Sequence, residues 1–208
     1  MKTILFQGDS ITDACRSRDG EMWKGMGYPL LVTAQLSYEH PNQYTFYNRG
    51  ISGNRVVDLY ARIKEDILKL KPDVMSILIG VNDVWHEIKY QNGVSAKRYQ
   101  DIYKMLLEDA KEALPEIKIM LLEPFLLRYT ATEENWEEFL AGVLKRQEIV
   151  RILGEEFDLP VVPLQPVFDA ALQQAPVEYW TTDGVHPTTA GHALIANEWK
   201  KAFEQYCL

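Results

Sequence analysis

The stretch VMSILI, residues 74–79, is apolar at every position except Ser76. A strand with one exposed face alternates apolar and polar residues, whereas a strand in a parallel sheet is covered on both faces and stays apolar throughout. The stretch therefore predicts a central strand of a parallel β-sheet. Four more short apolar runs with strand character occur along the chain, at residues 3–6, 44–47, 117–122 and 160–163.

Longer segments with a helical pattern separate these runs. Apolar residues recur at a spacing of three or four in residues 56–70, 99–110, 136–150 and 194–206. Pro115 and Gly154 predict where the second and third of these helices end. Because strand and helix alternate five times, we expect one domain over residues 1–208, a three-layer α/β/α sandwich with a five-stranded parallel sheet.

The composition indicates an ordinary globular domain and argues against some classes of binding partner. The chain has 208 residues, of which 47% are hydrophobic and 25% are charged, as in an ordinary globular domain. A formal net charge of −8 argues against nucleic acid or an anionic membrane surface as a partner. Cys15 and Cys207 are predicted to be free thiols, which is typical of a reducing cytoplasm. No apolar run reaches the length of a signal peptide or membrane span, so we expect a cytoplasmic protein.

Polar stretches follow four of the predicted strands. They are Gly8-Asp9-Ser10, residues 48–54 (NRGISGN), residues 80–83 (GVND) and residues 183–187 (DGVHP). In open α/β sheets, ligands bind at the carboxyl ends of the strands, so these stretches should lie together at one edge. The segment of residues 17–29, rich in glycine and charge, is predicted to be a loop that borders the same edge.

These stretches contain the parts that ester hydrolysis needs. Ser10 is the candidate nucleophile and His186 the candidate base that takes its proton. Asp183, three residues before His186, is placed to orient the imidazole and to stabilise its charged form. The backbone N–H groups of Ser10 and Gly53 and the side-chain amide of Asn82 are donors of the kind that form an oxyanion hole.

Taken together, the four stretches resemble the sequence blocks of the SGNH hydrolases, also called the GDSL esterase/lipase family. The resemblance runs in order from residue 4 to about residue 195. The matching residues are Gly8-Asp9-Ser10, Gly53, Gly80-x-Asn82-Asp83 and Asp183-x-x-His186. The resemblance implies a flavodoxin-like fold with five parallel strands. It also implies hydrolysis through an acyl-enzyme, with no metal and no cofactor.

Residues 50–85 look most like the small single-domain carbohydrate deacetylases, which include acetylxylan esterases. This narrower resemblance implies a small acetylated sugar as the substrate and a homo-oligomer, with the loop of residues 17–29 reaching a neighbouring subunit. Aromatic rings pack against the C–H faces of sugars, although they are equally common in cores. The candidate substrate-binding residues are Trp23, Tyr28, Arg55, Trp85 and Trp180.

Other assignments of the site residues are open on sequence alone. Ser52 is a rival nucleophile, because GISGN nearly matches the G-x-S-x-G motif, but its second glycine falls one position early. His86 is expected to border the pocket, and His192 to be a capping or internally hydrogen-bonded residue. Asp9 is interpreted as an acceptor of backbone N–H groups. Asp13 and Asp83 are interpreted as local turn or cap residues.

Other functions are also open. The same triad would serve a lysophospholipase or an acyl thioesterase equally well. A metal-dependent phosphoesterase would use Asp9, Asn82, Asp183 and His186 as ligands, but the sequence has no paired Asp-x-His and Ser10 would have no role. A non-catalytic carbohydrate-binding protein is the third class, and it predicts an incomplete triad.

Overall fold

Five parallel strands form the centre of the protein in the computed structural model, which describes residues 1–20 and 23–207. The strands are β1 (Lys2–Gly8), β2 (Tyr44–Asn48), β3 (Val74–Leu78), β4 (Lys118–Leu122) and β5 (Val161–Val162). The helices are α1 (Ser10–Asp13), α2 (Tyr28–Glu39), α3 (Val56–Ala61), α4 (Val81–Tyr90), α5 (Ala96–Ala113), α6 (Trp136–Phe157), α7 (Gln165–Ala171), α8 (Val177–Trp180) and α9 (Thr189–Tyr206). A π-helical turn, Lys64–Leu68, follows α3.

The strand order is β2-β1-β3-β4-β5, with every neighbouring pair parallel. This is the order of flavodoxin-like folds, and it reverses direction between β1 and β3. At such a switch point the connections leave to opposite sides, which opens a crevice at the carboxyl ends of the two strands. The expected three-layer fold with five parallel strands is therefore confirmed, and the crevice lies where β1 and β3 end.

The central strand β3 is buried on both faces because helices cover the sheet on both sides. Val74 and Leu78 belong to a core cluster that α2 and α9 complete, while Met75 and Ile77 belong to a second cluster with α3 and α5. This arrangement explains why the stretch is apolar without alternation. Among the described helices, none combines the length and the apolar character needed to span a bilayer.

Two helices near the site depart from the predicted pattern. α2 begins at Tyr28, inside the segment that was predicted to be a loop, and carries Pro29 in its first turn, where a missing N–H costs nothing. α4, which no predicted helix covered, begins at Val81 shortly after β3 ends at Leu78, and it places Asn82 in the first turn of a helix. Glu21 and Met22, within the same predicted loop, lie outside the described residues.

The predicted helix end at Gly154 is wrong, whereas the predicted end near Pro115 is confirmed by the last residue of α5, Ala113. α6 continues past Gly154 to Phe157. A side-chain carbon added at Gly154 would lie 2.3 Å from Cγ2 of Val161. The glycine therefore allows α6 to pack closely against β5 instead of ending the helix.

Candidate active site

Ser10 lies at the carboxyl end of β1, as the first residue of the short helix α1. The sharp transition from strand to helix needs Gly8, because a side-chain carbon there would lie 2.4 Å from the Leu78 carbonyl oxygen. Asp9 caps the helix, and its Oδ1 accepts the backbone N–H of Ile11 at 3.0 Å, in agreement with its predicted structural role. The hydroxyl of Ser10 is thus presented from a fixed backbone at the switch point.

A chain of hydrogen bonds connects Ser10 with His186 and Asp183. Oγ of Ser10 lies 2.9 Å from Nε2 of His186, and Nδ1 of His186 lies 2.7 Å from Oδ2 of Asp183. The other carboxylate oxygen of Asp183 accepts the backbone N–H groups of Val185 at 2.9 Å and His186 at 2.8 Å. The hydroxyl of Thr181 donates to the carbonyl of His186 at 2.9 Å. These hydrogen bonds hold the turn of residues 183–186 at both ends, and the turn positions the imidazole of His186.

The two ionisable partners favour each other's charged forms. The hydrogen bond with Asp183 raises the pKa of His186 and outweighs the opposing effect of partial burial. For Asp183, burial favours the neutral carboxyl, but the hydrogen bonds from the ring and backbone of His186 and from Val185 together lower its pKa. Such a pair can accept a proton from Ser10 and hold it as an imidazolium.

Hydrogen bonds connect the segments that carry the three predicted oxyanion donors. Gly53 has φ +81°, a conformation that glycine adopts without strain. The side chain of Asn82 donates one N–H to the carbonyl of Asn54, the residue after Gly53, at 3.1 Å. Ile51 N–H donates to the carbonyl of Gly8 at 3.1 Å, which ties this loop to the end of β1. In the described part of the chain, the N–H groups of Ser10 and Gly53 have no protein acceptor.

Ser10 and His186 open onto a pocket of about 700 Å³. Ser52 lines the same pocket, but its hydroxyl makes no hydrogen bond to any described residue, and His186 pairs with Ser10. The geometry therefore favours Ser10 over Ser52 as the group that gives up a proton. Two arginines that the sequence reasoning missed, Arg16 and Arg18, also line the pocket. Both follow α1 by only a few residues, and this closeness to Ser10 in sequence could have identified them as pocket residues.

Two of the predicted substrate-binding residues, Trp85 and Trp23, stay predictions, although neither is among the residues that line the pocket. The Trp85 ring packs against the His186 ring, with the centroids 5.9 Å apart, and against Phe139 at 5.8 Å. Trp23 is 48% exposed, in the segment that leads to α2. The structure brings Trp85 next to the predicted base, and it leaves Trp23 available to a ligand or a partner.

The structure corrects the prediction for Tyr28 and Trp180, which are buried, and it engages Arg55 in contacts within the protein. Tyr28 is fully buried, and its hydroxyl is 3.1 Å from Oγ1 of Thr12, so it is a core residue. Trp180 is 8% exposed and donates its indole N–H to a backbone carbonyl at 3.2 Å. The guanidinium of Arg55 is held by Asp58 and by Asn92, and Arg55 is not among the residues that line the pocket.

Two acidic residues that were interpreted as local caps make longer connections. Both carboxylate oxygens of the buried Asp83 lie close to the backbone N–H of Val56, at 3.1 and 3.3 Å, and burial raises the pKa of Asp83 to about 7. Asp13 does accept the local N–H of Arg16, at 3.2 Å, but it also accepts the N–H of Ser52 at 2.9 Å. These bonds fasten the loops that surround Ser10.

His192 lines the pocket without carrying a charge. Its Nδ1 accepts the backbone N–H of Tyr28 at 3.2 Å, as expected for an internally hydrogen-bonded residue. Burial lowers the pKa of His192 to about 4, so the ring is neutral near pH 7. Within residues 1–20 and 23–207, no group of three or more His, Cys, Asp or Glu side chains is arranged to hold a metal ion.

Comparisons with known proteins agree with one another. A profile of the GDSL-like Lipase/Acylhydrolase family matches residues 6–194. The acetylxylan esterase of Geobacillus stearothermophilus is 34% identical over 201 residues, which cover 93% of this chain and 90% of that protein. A crystal structure of a GDSL-like lipase from Parabacteroides merdae is similar with a TM-score of 0.93 at 42% identity, covering 98% of this chain and 95% of that one.

The Geobacillus enzyme is also similar in structure. Its crystal structure matches with a TM-score of 0.85 at 31% identity, covering 97% of this chain and 93% of that chain. Structures of its catalytic mutants carry alanine in place of a serine, an aspartate or a histidine, and the aspartate precedes the histidine by three positions. Structures of two other variants are also known, and that enzyme is an acetyl-xylooligosaccharide esterase.

Proposed function

The chain belongs to the GDSL-like lipase/acylhydrolase family, and from that premise we propose that it removes acetyl groups from carbohydrate hydroxyls through an acyl-enzyme on Ser10. The family and the acetylxylan esterase relative make the chain a carboxylic ester hydrolase that acts on acetyl esters. The proposal adds the class of alcohol and the residues that perform the reaction.

The observation that carries the proposal is the hydrogen-bonded series from Ser10 through His186 to Asp183. A serine hydroxyl is a weak nucleophile until a base removes its proton. Nε2 of His186 is within reach of that proton, and Asp183 holds the opposite nitrogen. The spacing of Asp183 and His186 equals the spacing of the aspartate and histidine replaced in catalytic mutants of the Geobacillus esterase.

In the first half of the reaction, Oγ of Ser10 attacks the acetyl carbonyl carbon while Nε2 of His186 takes the hydroxyl proton. The carbonyl π electrons move to oxygen, and the resulting oxyanion accepts hydrogen bonds from the N–H groups of Ser10 and Gly53 and from Asn82. Collapse of this intermediate breaks the bond to the sugar oxygen, which receives the proton from His186. The acetyl group is left on Ser10.

In the second half, a water molecule replaces the alcohol. His186 takes a proton from the water as the water oxygen attacks the acetyl-Ser10 carbonyl, and the same donors bind the oxyanion. Collapse of the second intermediate returns the proton to Oγ of Ser10 and releases acetic acid. Asp183 stays ionised throughout and stabilises the imidazolium in both halves.

The test measures kcat/KM on p-nitrophenyl acetate, butyrate, octanoate and dodecanoate, together with acetate release from acetylated xylo-oligosaccharides. The proposal requires a steep fall in kcat/KM beyond the short acyl chains and release of acetate from the sugar. Ser10→Ala provides the control, because it removes the nucleophile and leaves a side chain that fits the same space.

The measurement also separates the main alternative. A lysophospholipase or acyl thioesterase binds a long acyl chain, so kcat/KM would then peak at octanoate or dodecanoate and no acetate would leave the sugar. That result would overturn the carbohydrate assignment while leaving the esterase assignment intact. Full activity of Ser10→Ala on p-nitrophenyl acetate would overturn the assigned nucleophile instead.

A further inference from the structure

The pocket beside Ser10 and His186 is more positive than the protein that surrounds it. Arg16 and Arg18 line it, whereas Asp13 is the one acidic side chain among its described lining residues. The chain as a whole carries a formal net charge of −8. An excess of cationic groups at this one place therefore needs a local explanation.

Arg18 has its counter-charge within the protein. Its Nη2 forms an ion pair with Oδ2 of Asp13, and its Nη1 donates to the carbonyl of Gly50 at 3.2 Å. Asp13 also accepts the backbone N–H of Ser52. The carboxylate of Asp13 is thus occupied, and its charge is already paired with that of Arg18.

Arg16 makes no ion pair of its own, because Asp13, whose charge favours the cationic form of Arg16, is already paired with Arg18. Its Nε donates to the Gly50 carbonyl at 2.7 Å and its Nη1 to the Ser17 carbonyl at 3.1 Å. Within the described residues, no carboxylate lies at ion-pair distance from its guanidinium, and its Nη2 has no acceptor. Burial, and then the nearby charge of Arg18, lower the pKa of Arg16. An anion placed at this guanidinium would oppose both effects, because an opposite charge favours the cationic form.

We propose that Arg16 binds a carboxylate on the substrate, so that the preferred substrate is an acetyl ester of an acidic sugar such as a uronic acid. This inference rests on the proposed function and specifies its substrate class. The two carbonyls of Gly50 and Ser17 hold the guanidinium in a fixed orientation. Nη2, which has no acceptor among the described residues, is the part of this fixed guanidinium that can donate a charge-assisted hydrogen bond to a carboxylate.

The experiment compares two monoacetylated substrates that differ only at C6, an acetylated methyl glucuronoside with a carboxylate there and the corresponding methyl glucoside with a hydroxymethyl group. For the unmodified protein, kcat/KM should be about tenfold higher on the acidic substrate, as expected for one hydrogen-bonded charge pair. Arg16→Gln should remove this preference, and Arg16→Lys should retain part of it. Arg98→Gln serves as the charge-matched control, because Arg98 pairs with Asp101 outside the pocket.

The readout is the ratio of kcat/KM on the two substrates rather than either value alone. Loss of the hydrogen bond between Arg16 and Gly50 would by itself slow the reaction of both substrates. Equal kcat/KM on both substrates, or a preference that survives in Arg16→Gln, would overturn the inference. Inhibition of p-nitrophenyl acetate hydrolysis by free sugars distinguishes failure of the carboxylate site from failure of the proposed carbohydrate activity. Stronger inhibition by glucuronate than by glucose, lost in Arg16→Gln, would support the carboxylate site even if neither sugar released acetate.

Discussion

One amide hydrogen of Asn82 is bonded to the carbonyl of Asn54, and this bond connects the first turn of α4 with the loop that contains Gly53. The bond fixes the plane of the amide before any substrate binds. The second hydrogen of the amide has no acceptor among the described residues. A donor that is already oriented in this way needs little reorganisation when negative charge develops on the substrate.

Asn82→Ala should therefore lower kcat by a factor of roughly 100 to 1,000, the usual effect of removing one oxyanion donor, with little change in KM. Steady-state kinetics on p-nitrophenyl acetate measure both constants. Asn92→Ala is the control, because Asn92 contacts Arg55 and does not line the pocket. A change confined to KM would place Asn82 in binding of the ground state instead.

The pH dependence of kcat/KM should report the contact between His186 and Asp183. Because the base must be neutral, activity rises with pH, and the raised pKa of His186 places the midpoint above its ordinary value of 6.5. Asp183→Ala removes the carboxylate that raises this pKa, so the midpoint should move to lower pH while the maximal rate falls. A midpoint that is unchanged in Asp183→Ala would contradict this role.

Asp9 should make stability depend on pH. Burial raises the pKa of Asp9 from 3.8 to about 7, so the folded protein favours its neutral form. Between about pH 4 and pH 7 the unfolded chain ionises this group and the folded protein does not, so stability falls as pH rises. Asp9→Asn keeps the cap and carries no charge. It should gain about 4 kcal/mol over the unmodified protein across that interval.

Urea unfolding at several pH values measures this difference for Asp9→Asn. The exposed Asp19 provides the control, because Asp19→Asn alters a charge that the fold does not bury. If the free energy of unfolding depended on pH equally in Asp9→Asn and in the unmodified protein, the carboxyl of Asp9 would ionise at the same pH in the folded and the unfolded chain. That result would contradict the prediction.

Gly154→Ala should destabilise the protein, even though alanine is the better helix former. The added methyl group would overlap the side chain of Val161, and crowding of this kind typically costs about 1–3 kcal/mol. Thermal or urea unfolding gives the change in the free energy of unfolding. Adding Val161→Ala should recover part of the loss, because it removes the atom in contact. Additive effects of the two substitutions would rule out this clash as the cause.

The strands and the polar ends of β1 and β3 could be predicted from the sequence because strand burial is a local pattern. The approach of His186 to Ser10 followed from topology, since the ends of parallel strands meet at one edge. The spacing of Asp183 and His186 also restricted their geometry to one turn. These features depend on short segments and on a general rule for parallel sheets.

The directions of individual side chains could not be predicted in the same way. Tyr28 and Trp180 were predicted to line the pocket because they lie near the site in sequence. Both side chains instead pack in the core, against elements that are distant in sequence. The helix end at Gly154 was missed because the cause is contact with Val161, which local propensity does not contain. Arg16 was missed because its significance depends on which carboxylates it lacks in three dimensions.

The hydroxyl of Ser10 and the imidazole that it contacts are separated by 176 residues, nearly the whole chain. During synthesis of the chain, Ser10 therefore leaves the ribosome 176 residues before His186. On the proposed mechanism, a chain interrupted anywhere before His186 has no hydrolytic activity, however well its earlier strands have folded. Ester turnover by a preparation of this protein would thus count only the chains that extend past His186, and shorter fragments would show no turnover.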